Sequence, residues 1–312
     1  MKNIPPPVRP KRVLRSETSR RIIVILGPTA SGKTDIAIQL AKEFHGFIIS
    51  ADSRQVYRQM DIGTAKPTKE QLRAVRHKMI DIVEPDEPFS LAQYQERVFD
   101  ILAKVERSAI PFLVGGTGLY IDAVVENWDI PKVAPNDALR QELEQLTMSQ
   151  LANRLTLQDA DSAANIDLHN KRRIIRAIEV AETTGTSFVA QKRSRPFPYR
   201  ILKIGLAVPK EILNTRIVHR VDQMMKDGLL DETKRLAERY SWNIPAMSGI
   251  GYRQLGAYLR DEMSLEQAVE RIKIATRQYA KRQMTWFQRD HSIHWVHNAP
   301  QAERLVRAFL AE

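Results

Sequence analysis

The sequence predicts an α/β fold: a P-loop-type parallel sheet core flanked by helices, with an all-helical insertion domain. Short apolar runs at 21–26, 47–49 and 111–114 alternate with helical patterns, and this alternation is typical of a parallel sheet. A glycine-rich phosphate-loop pattern follows the first run. Only helical patterns occupy residues 137–195, before strand character returns at 201–208. We therefore expect ligands at the carboxyl ends of the strands.

The first half of the core contains recognisable elements in order. A helical pattern begins at Asp35, and its apolar residues 36, 37, 40, 41 and 44 share one face. A polar helix is expected near 69–76 and another helix at 90–107. The segment 77–85 has the pattern of a short strand that leaves the core.

The chain divides into a predicted tail, core and insertion. Residues 1–20 are basic and proline-rich, which favours a flexible tail. The core comprises 21–127 and 200–312, and the helical insertion at 128–199 lies between them. A basic segment at 191–198 forms the predicted exit from the insertion. A length of 312 residues suits one large or two modest domains.

Long helices are expected at about 210–239 and 264–289, in the second part of the core. His291, His294 and His297 are three residues apart, a spacing that raises the question of a metal site. The pattern around His294 is that of a strand, in which this spacing places neighbours on opposite faces. A metal site at these histidines is therefore disfavoured.

Composition excludes several classes of protein. No cysteine is present, which rules out disulfides, a cysteine nucleophile and thiolate zinc sites. No apolar run is long enough to span a membrane. These features are compatible with the cytoplasm, where we expect the protein. The formal charge of +11 favours a polyanionic partner, although a basic protein without a nucleic-acid role stays an alternative.

The pattern Gly27-x-x-x-x-Gly32-Lys33-Thr34 predicts a phosphate-binding loop. Glycines let successive N–H groups converge on one concavity, and the following helix N-terminus favours anions. Lys33 is expected to reach phosphate oxygens and the Thr34 hydroxyl to bind Mg²⁺. We therefore predict diphosphate or triphosphate binding by the residues Gly27, Pro28, Thr29, Ala30, Ser31, Gly32, Lys33 and Thr34.

An acid and a second glycine turn follow two other strands. Asp52, after the second strand, is predicted near the phosphate loop, as a general base or a ligand of Mg²⁺ through water. A turn or helix cap is an equally good interpretation. The turn Gly115–Gly118 carries Thr117, and its glycines allow close approach of a ligand, with simple turn chemistry as the alternative.

Several longer motifs resemble bacterial tRNA dimethylallyltransferases, also called tRNA isopentenyltransferases. The resemblance runs from about residue 21 to 297. Its most specific parts are Asp-Ile-Gly-Thr-Ala-Lys-Pro at 61–67 and Arg-Gln-x-x-Lys-Arg-Gln-x-Thr-Trp at 277–286. Further matches are the phosphate loop and the segments 50–57, 115–120, 171–180 and 249–254. The absence of cysteine matches the form without a zinc finger.

The resemblance implies transfer of a dimethylallyl group from dimethylallyl diphosphate to N6 of the adenosine next to the anticodon in tRNA. Asp52 matches the family's general base, Thr117 a residue that touches the target base, and Arg220 an arginine that grips the diphosphate. The implied cofactor is Mg²⁺, held by Thr34. We expect a monomer that acts on the tRNA anticodon stem-loop.

The resemblance also implies contacts with tRNA. These expected tRNA-binding residues are Asp52, Ser53, Arg54, Gln55, Thr117, Arg172, Arg173, Arg176, Gly249, Gly251, Lys281, Arg282, Gln283 and Thr285. Lysine and arginine contacts with phosphates would position the stem, while base contacts would select the loop.

Three other functions compete with this one. A P-loop kinase of nucleotides or small molecules shares the loop and Mg²⁺, but the usual metal-holding acid does not follow Val114. An enzyme that prenylates free adenine nucleotides would share the core and not need the basic segments. A non-catalytic RNA-binding protein with a vestigial loop would not need intact Lys33, Thr34 and Asp52.

Overall fold

The computed structural model describes residues 20–106, 108–131, 133–190 and 196–312. The predicted flexible tail at 1–20 lies outside these residues, except for Arg20, which begins the first strand. Residues 191–195 of the predicted exit from the insertion also lie outside them.

Within the described residues, six parallel strands form one sheet in the order β3-β2-β4-β1-β5-β6. The strands are β1 Arg20–Leu26, β2 Gly46–Ser50, β3 His77–Lys78, β4 Ile110–Gly115, β5 Tyr199–Leu206 and β6 His294–Val296. The predicted parallel sheet is thus confirmed. The segment 77–85 was expected to leave the core, but it begins with β3, which pairs with β2 at one sheet edge.

Helices cover both faces of the sheet. The helices of the first part of the core are α1 Lys33–Glu43, α2 Lys69–Ala74, α3 Leu91–Lys104 and α4 Gly118–Val125. The insertion contributes α5 Asp137–Glu144, α6 Met148–Gln158, α7 Ala160–Asn165 and α8 Lys171–Thr184. The second part contributes α9 Lys210–Lys226, α10 Leu229–Arg239, α11 Tyr252–Leu259, α12 Leu265–Phe287 and α13 Ala299–Ala311.

The central strand β1 shows why the sheet is parallel and buried. Ile22 and Val24 pack with α3 and α4 on one face, and Ile23 and Ile25 pack with α1 and α13 on the other. All four side chains are fully buried. A strand buried on both faces reads as a continuous apolar run, which is how β1 appears in the sequence.

The long helix predicted at 210–239 is two helices. Gly228 separates α9 from α10 and has a φ of 96°, a left-handed conformation that favours glycine. The helix predicted at 264–289 is confirmed as the continuous α12, whose N-terminus is capped by Ser264. Among the described residues, no helix combines the length and apolarity needed to cross a membrane.

The helices α5 to α8 pack around a small core of their own. Leu143, Leu151, Leu155, Ile174 and Ile178 are fully buried within it. One buried carboxylate, Glu179, ties the helices together: Arg140 on α5 donates to it at 2.9 Å, and Arg176 at 2.5 Å. The boundaries of the insertion at 128–199 stay a prediction.

Candidate active site

A cavity lies where β1, β2 and β4 end, at the carboxyl edge of the sheet. We call it the loop cavity. Its walls come from the phosphate loop, from the segment after β2, from the loop at 64–67 and from α9. The lining residues are Thr29, Lys33, Thr34, Ile48, Ser50, Asp52, Gln55, Thr64, Ala65, Pro67, His77, Ile80, Val114, Gly115 and Arg220. The fold thus brings together four residues that were predicted to bind the diphosphate or Mg²⁺ or to act in catalysis: Lys33, Thr34, Asp52 and Arg220.

The phosphate loop curls between β1 and α1, as its sequence pattern predicts. Gly32 immediately precedes α1 and has a φ of 89°, which a larger residue adopts only with strain. Lys33 then begins the helix, and its ammonium donates to the carbonyl of Pro28 at 3.1 Å. Burial, followed by the charge of Arg220, lowers the pKa of Lys33 to about 8, while Asp52 opposes this shift.

Two arginines of α9 contact the phosphate loop. Arg216 and Arg220 are one helical turn apart, so they project from the same face. Arg216 donates to the carbonyl of Ser31 at 3.4 Å, and Arg220 contacts the Thr29 hydroxyl at 3.5 Å. Burial lowers the pKa of Arg220. The arginine implied by the resemblance therefore lies at the loop, although 187 residues separate it from Lys33 in the sequence.

Asp52 forms a turn and also lines the loop cavity. Its Oδ1 accepts from the backbone N–H of Arg54 at 2.8 Å and of Gln55 at 3.4 Å, which is the geometry of an Asx turn. The same side chain lines the loop cavity with Lys33. The turn fixes the carboxylate in the loop cavity, and its role as a general base stays a prediction.

Thr117 follows β4 and lies beside the Asp52 segment. Its hydroxyl accepts from the backbone N–H of Ser53 at 3.2 Å. Tyr279 of α12 is its other hydrogen-bond partner. Burial, followed by the charge of Asp52, raises the pKa of Tyr279 to about 12, and the bond with Thr117 opposes that rise.

Tyr279 was not predicted as a site residue from the sequence. A signal was present: residues 279, 283 and 286 follow the spacing of one helical face. All three contact the turn after β4 or the helix that follows it. This spacing alone does not distinguish a site-facing seam from an ordinary core face.

The glycines of the turn after β4 serve close packing of the chain on itself. A Cβ added to Gly115 would lie 2.1 Å from the Ala51 carbonyl oxygen, and one on Gly116 would lie 2.2 Å from Gln283 Nε2. A Cβ on Gly118 would lie 2.3 Å from the Trp286 ring. This packing favours the turn interpretation, while Gly115 also lines the loop cavity, and close approach of a ligand there stays a prediction.

The motif Asp-Ile-Gly-Thr-Ala-Lys-Pro wraps around Glu232 of α10. This buried carboxylate accepts from the backbone N–H groups of Asp61, Ile62 and Gly63 at 2.9 to 3.1 Å. The Tyr252 hydroxyl donates to it at 2.7 Å. Glu232 was missed in the sequence, since no local pattern links it to a loop that lies 169 residues earlier.

Lys66 of the same motif is held from three sides. Its ammonium donates to the Tyr57 carbonyl and to Asp61, each at 2.7 Å, and also to Asp81. These bonds fix the loop at 64–67 as one wall of the loop cavity. The motif therefore has a folding role that shapes the site.

Several residues expected at tRNA are engaged within the protein. Arg54 donates to the Pro245 carbonyl at 2.6 Å and to the Ser248 hydroxyl at 3.2 Å. Gln55 accepts from the Ser50 hydroxyl at 2.9 Å and donates to the Ala65 carbonyl at 3.2 Å. These bonds give both side chains a structural role, and their contact with RNA stays a prediction.

Other expected tRNA residues are also placed inside the protein. Arg176 pairs with Glu179 and donates to the Val133 carbonyl at 3.1 Å. Gly249 and Gly251 are buried where α11 begins. Gln283, expected to face RNA, has a side chain only 6% exposed.

Five expected tRNA residues lie on the surface with exposed side chains. They are Arg172 and Arg173 on α8, and Lys281, Arg282 and Thr285 on α12. Both groups belong to helices whose opposite faces pack into the protein. A charged exposed face on a packed helix is available to a polyanion.

Known proteins match this sequence over most of its length. Residues 55–290 match the IPP transferase family. The tRNA dimethylallyltransferase of Roseiflexus sp. (strain RS-1) is 48% identical over 274 residues, which cover 86% of this chain and 90% of that protein. The protein of the same name from Moorella thermoacetica is 42% identical, with 95% of each chain covered.

Solved structures share the fold. The full-length tRNA isopentenylpyrophosphate transferase of Bacillus halodurans is 38% identical with a TM-score of 0.70, and 94% of this chain and 96% of that chain are covered. A eukaryotic dimethylallyltransferase, solved while acting on tRNA, is 26% identical with a TM-score of 0.78, at coverages of 94% and 80%. Since the match spans the phosphate loop, the sheet and the C-terminal helices together, the chain belongs to the IPP transferase family.

Proposed function

We propose that the protein transfers the dimethylallyl group of dimethylallyl diphosphate to N6 of the adenosine next to the anticodon in tRNA. The carrying observation is that Lys33 and Arg220, two half-buried cations, line one cavity with Asp52 beside a phosphate loop. Two like charges at one site repel, and a polyanion relieves that repulsion. The relatives named above support the identity of the acceptor.

The diphosphate would lie against the phosphate loop. The backbone N–H groups of Gly32, Lys33 and Thr34, at the N-terminus of α1, favour negative charge. Lys33 and Arg220 would contact the diphosphate oxygens from two sides. Charge grows on the diphosphate as it leaves, so groups fixed at this position stabilise the transition state more than the bound substrate.

The transfer step forms one bond and breaks one. The N6 amine of adenosine attacks C1 of the dimethylallyl group, and the bond between C1 and the diphosphate oxygen breaks. The electron pair of that bond leaves with diphosphate. The N6 proton passes to the Asp52 carboxylate during attack, because an adenine amine is far less acidic than a carboxylic acid.

The residues at the loop fit a divalent metal of the Mg²⁺ type. Mg²⁺ commonly takes one or two protein oxygens and completes its shell with substrate phosphates and water. Thr34 offers such an oxygen in the loop cavity, and the described residues contain no cluster of three or more metal-ligating side chains. When bound, Mg²⁺ would neutralise part of the charge on the diphosphate.

The anticodon stem-loop would lie across the basic faces of α8 and α12. Arg172, Arg173, Lys281 and Arg282 are exposed there and would contact phosphates. The target adenosine would leave the base stack to reach the site, as other enzymes that modify bases require. Asp52 and Thr117 would contact the extruded base beside the prenyl group.

A labelling experiment tests this proposal. The protein is incubated with Mg²⁺, radiolabelled dimethylallyl diphosphate and bulk bacterial tRNA, and digested RNA is analysed for labelled adenosine. We expect label in tRNA and none on AMP. Label on AMP but not on tRNA would move the activity to free nucleotides, and no label with ATP turnover would indicate a kinase.

A further inference from the structure

We infer that Gln283 is a positioning residue that locks the phosphate loop onto the turn carrying Thr117, rather than a contact with RNA. The inference rests on the proposed function for its two substrates, and it concerns how their sites are held in register. The geometry of three elements carries it: the phosphate loop, the turn after β4 and the helix α12.

Both ends of the Gln283 amide are engaged by backbone groups. Its Oε1 accepts from the N–H of Thr29 at 2.8 Å, and its Nε2 donates to the carbonyl of Gly116 at 2.8 Å. The side chain is 6% exposed. One amide therefore bridges the loop after β1 and the turn after β4, which are separate backbone segments at adjacent strands.

An amide is the side chain that suits this bridge. One partner is a donor and the other an acceptor, so the bridging group must accept at one atom and donate at the other. Methionine has a similar length and offers no strong hydrogen bond. Both backbone partners would then be left without their bond in a buried place, which is unfavourable.

The bridge touches the two sites where the substrates would meet. Thr29 belongs to the phosphate loop and contacts Arg220, while Gly116 directly precedes Thr117. A shift at either end would change the distance between the prenyl carbon and the target amine. Small misplacements of this kind reduce turnover strongly.

The exposed and buried faces of α12 thus have different predicted tasks. Lys281 and Arg282 face solvent and would bind RNA, whereas Gln283 faces inward. A substitution at Gln283 should therefore raise KM for dimethylallyl diphosphate and lower kcat. A substitution at Lys281 should lower the affinity for tRNA.

The test compares Gln283→Met with two matched variants of the same helix in the full-length protein. Lys281→Ala alters the exposed face of α12. Trp286→Phe removes the hydrogen bond of 2.8 Å that Trp286 donates to Asp122, which is not part of the phosphate loop. The measurements are KM for dimethylallyl diphosphate, kcat, tRNA affinity by filter binding, and hydrogen exchange of a phosphate-loop peptide.

For Gln283→Met we expect a rise in KM for dimethylallyl diphosphate on the order of tenfold, from the loss of two hydrogen bonds, and a lower kcat. Its tRNA affinity should stay within about twofold of wild type, and exchange at 27–34 should accelerate. Lys281→Ala should instead weaken tRNA binding and leave KM for dimethylallyl diphosphate and exchange at 27–34 close to wild type. Trp286→Phe should leave exchange at 27–34 unchanged.

Gln283→Glu provides a second variant if the methionine variant does not fold. It keeps an acceptor for Thr29 and lacks the donor to Gly116, and we expect the same direction of change in KM. Unchanged KM and kcat with weaker tRNA binding in either variant would overturn the inference and return Gln283 to the RNA surface. If the wild-type protein itself does not prenylate tRNA, the proposed function fails, while loop exchange still tests the bridge.

Discussion

Arg220 and Lys33 are two cations that line one cavity, and the charge of Arg220 is the second largest cause, after burial, of the lowered pKa of Lys33. Both groups are held at the phosphate loop by contacts with its backbone or side chains. This arrangement is unfavourable for the protein alone and favourable for a bound polyanion. The arrangement therefore lowers the stability of the fold and favours the binding of a polyanion.

Removing the Lys33 charge should stabilise the protein in the absence of ligand. The folded pKa of about 8 lies below the ordinary value of 10.5, so protonated Lys33 destabilises the fold at all pH values below 8. This destabilisation fades as the pH rises from 8 to 10.5. We expect Lys33→Met to raise the free energy of unfolding by about 1–3 kcal/mol at pH 7, and by less near pH 10, as measured by urea denaturation.

The control for this prediction is Lys42→Met, which alters an exposed lysine at the other end of the same helix. It should change stability little at either pH. A Lys33→Met protein that is less stable than wild type at pH 7 would show that contacts of Lys33, such as that to Pro28, outweigh the burial of its charge.

Asp52→Asn should keep the turn and remove the general base. Asparagine keeps an oxygen that accepts from Arg54 and Gln55, so the Asx turn should persist. It is not a base, and general-base catalysis is commonly worth about 10²- to 10⁴-fold. We expect kcat for tRNA prenylation to fall by at least about 100-fold, with tRNA affinity and thermal stability close to wild type. Turnover within a few-fold of wild type would remove Asp52 from the mechanism.

The basic faces of α8 and α12 should set the salt dependence of tRNA binding. Arg172→Ala and Lys281→Ala remove exposed charges, and each lost phosphate contact should reduce the slope of log K against log salt by about 0.7–0.9. Fluorescence anisotropy over a salt titration measures this slope. The control is Lys104→Ala at the end of α3, near the edge where the strands begin. An equal change in all three variants would point to net charge rather than to a surface.

Glu179 should hold the insertion together. It is fully buried and accepts from Arg140, Arg176 and the backbone of Asn136. Burial acts to raise its pKa, but these hydrogen bonds outweigh burial and lower it. Breaking one side of a buried ion pair commonly costs about 3–5 kcal/mol.

We therefore expect Glu179→Leu to destabilise the insertion by roughly 3 kcal/mol, seen as faster hydrogen exchange in α5 and α8. Exchange in the strands β1 and β4 should change less. A matched control is Glu182→Leu, one turn along α8, whose ion pair with Arg154 is partly exposed and should contribute less. Equal destabilisation by both variants would contradict a central role for Glu179.

Local sequence patterns were sufficient to predict much of the fold and the phosphate loop of the site. The apolar runs identified four of the strands because strands buried on both faces are continuously apolar. The phosphate loop was predicted in full because its function depends on consecutive residues. The break at Gly228 and the pairing of β3 with β2 at the sheet edge were not predicted, since each depends on the packing of neighbouring elements.

The sequence by itself determined the phosphate loop, the alternation of strands and helices, and the family. Only the tertiary structure decided that Arg220 meets Thr29, that Glu232 holds the loop at 61–63 and that Gln283 bridges Thr29 and Gly116. These partners are 191, 169 to 171, and 254 or 167 residues apart. No periodicity spans such separations, because contacts between distant segments follow from how the sheet and its helices pack and not from neighbouring side chains.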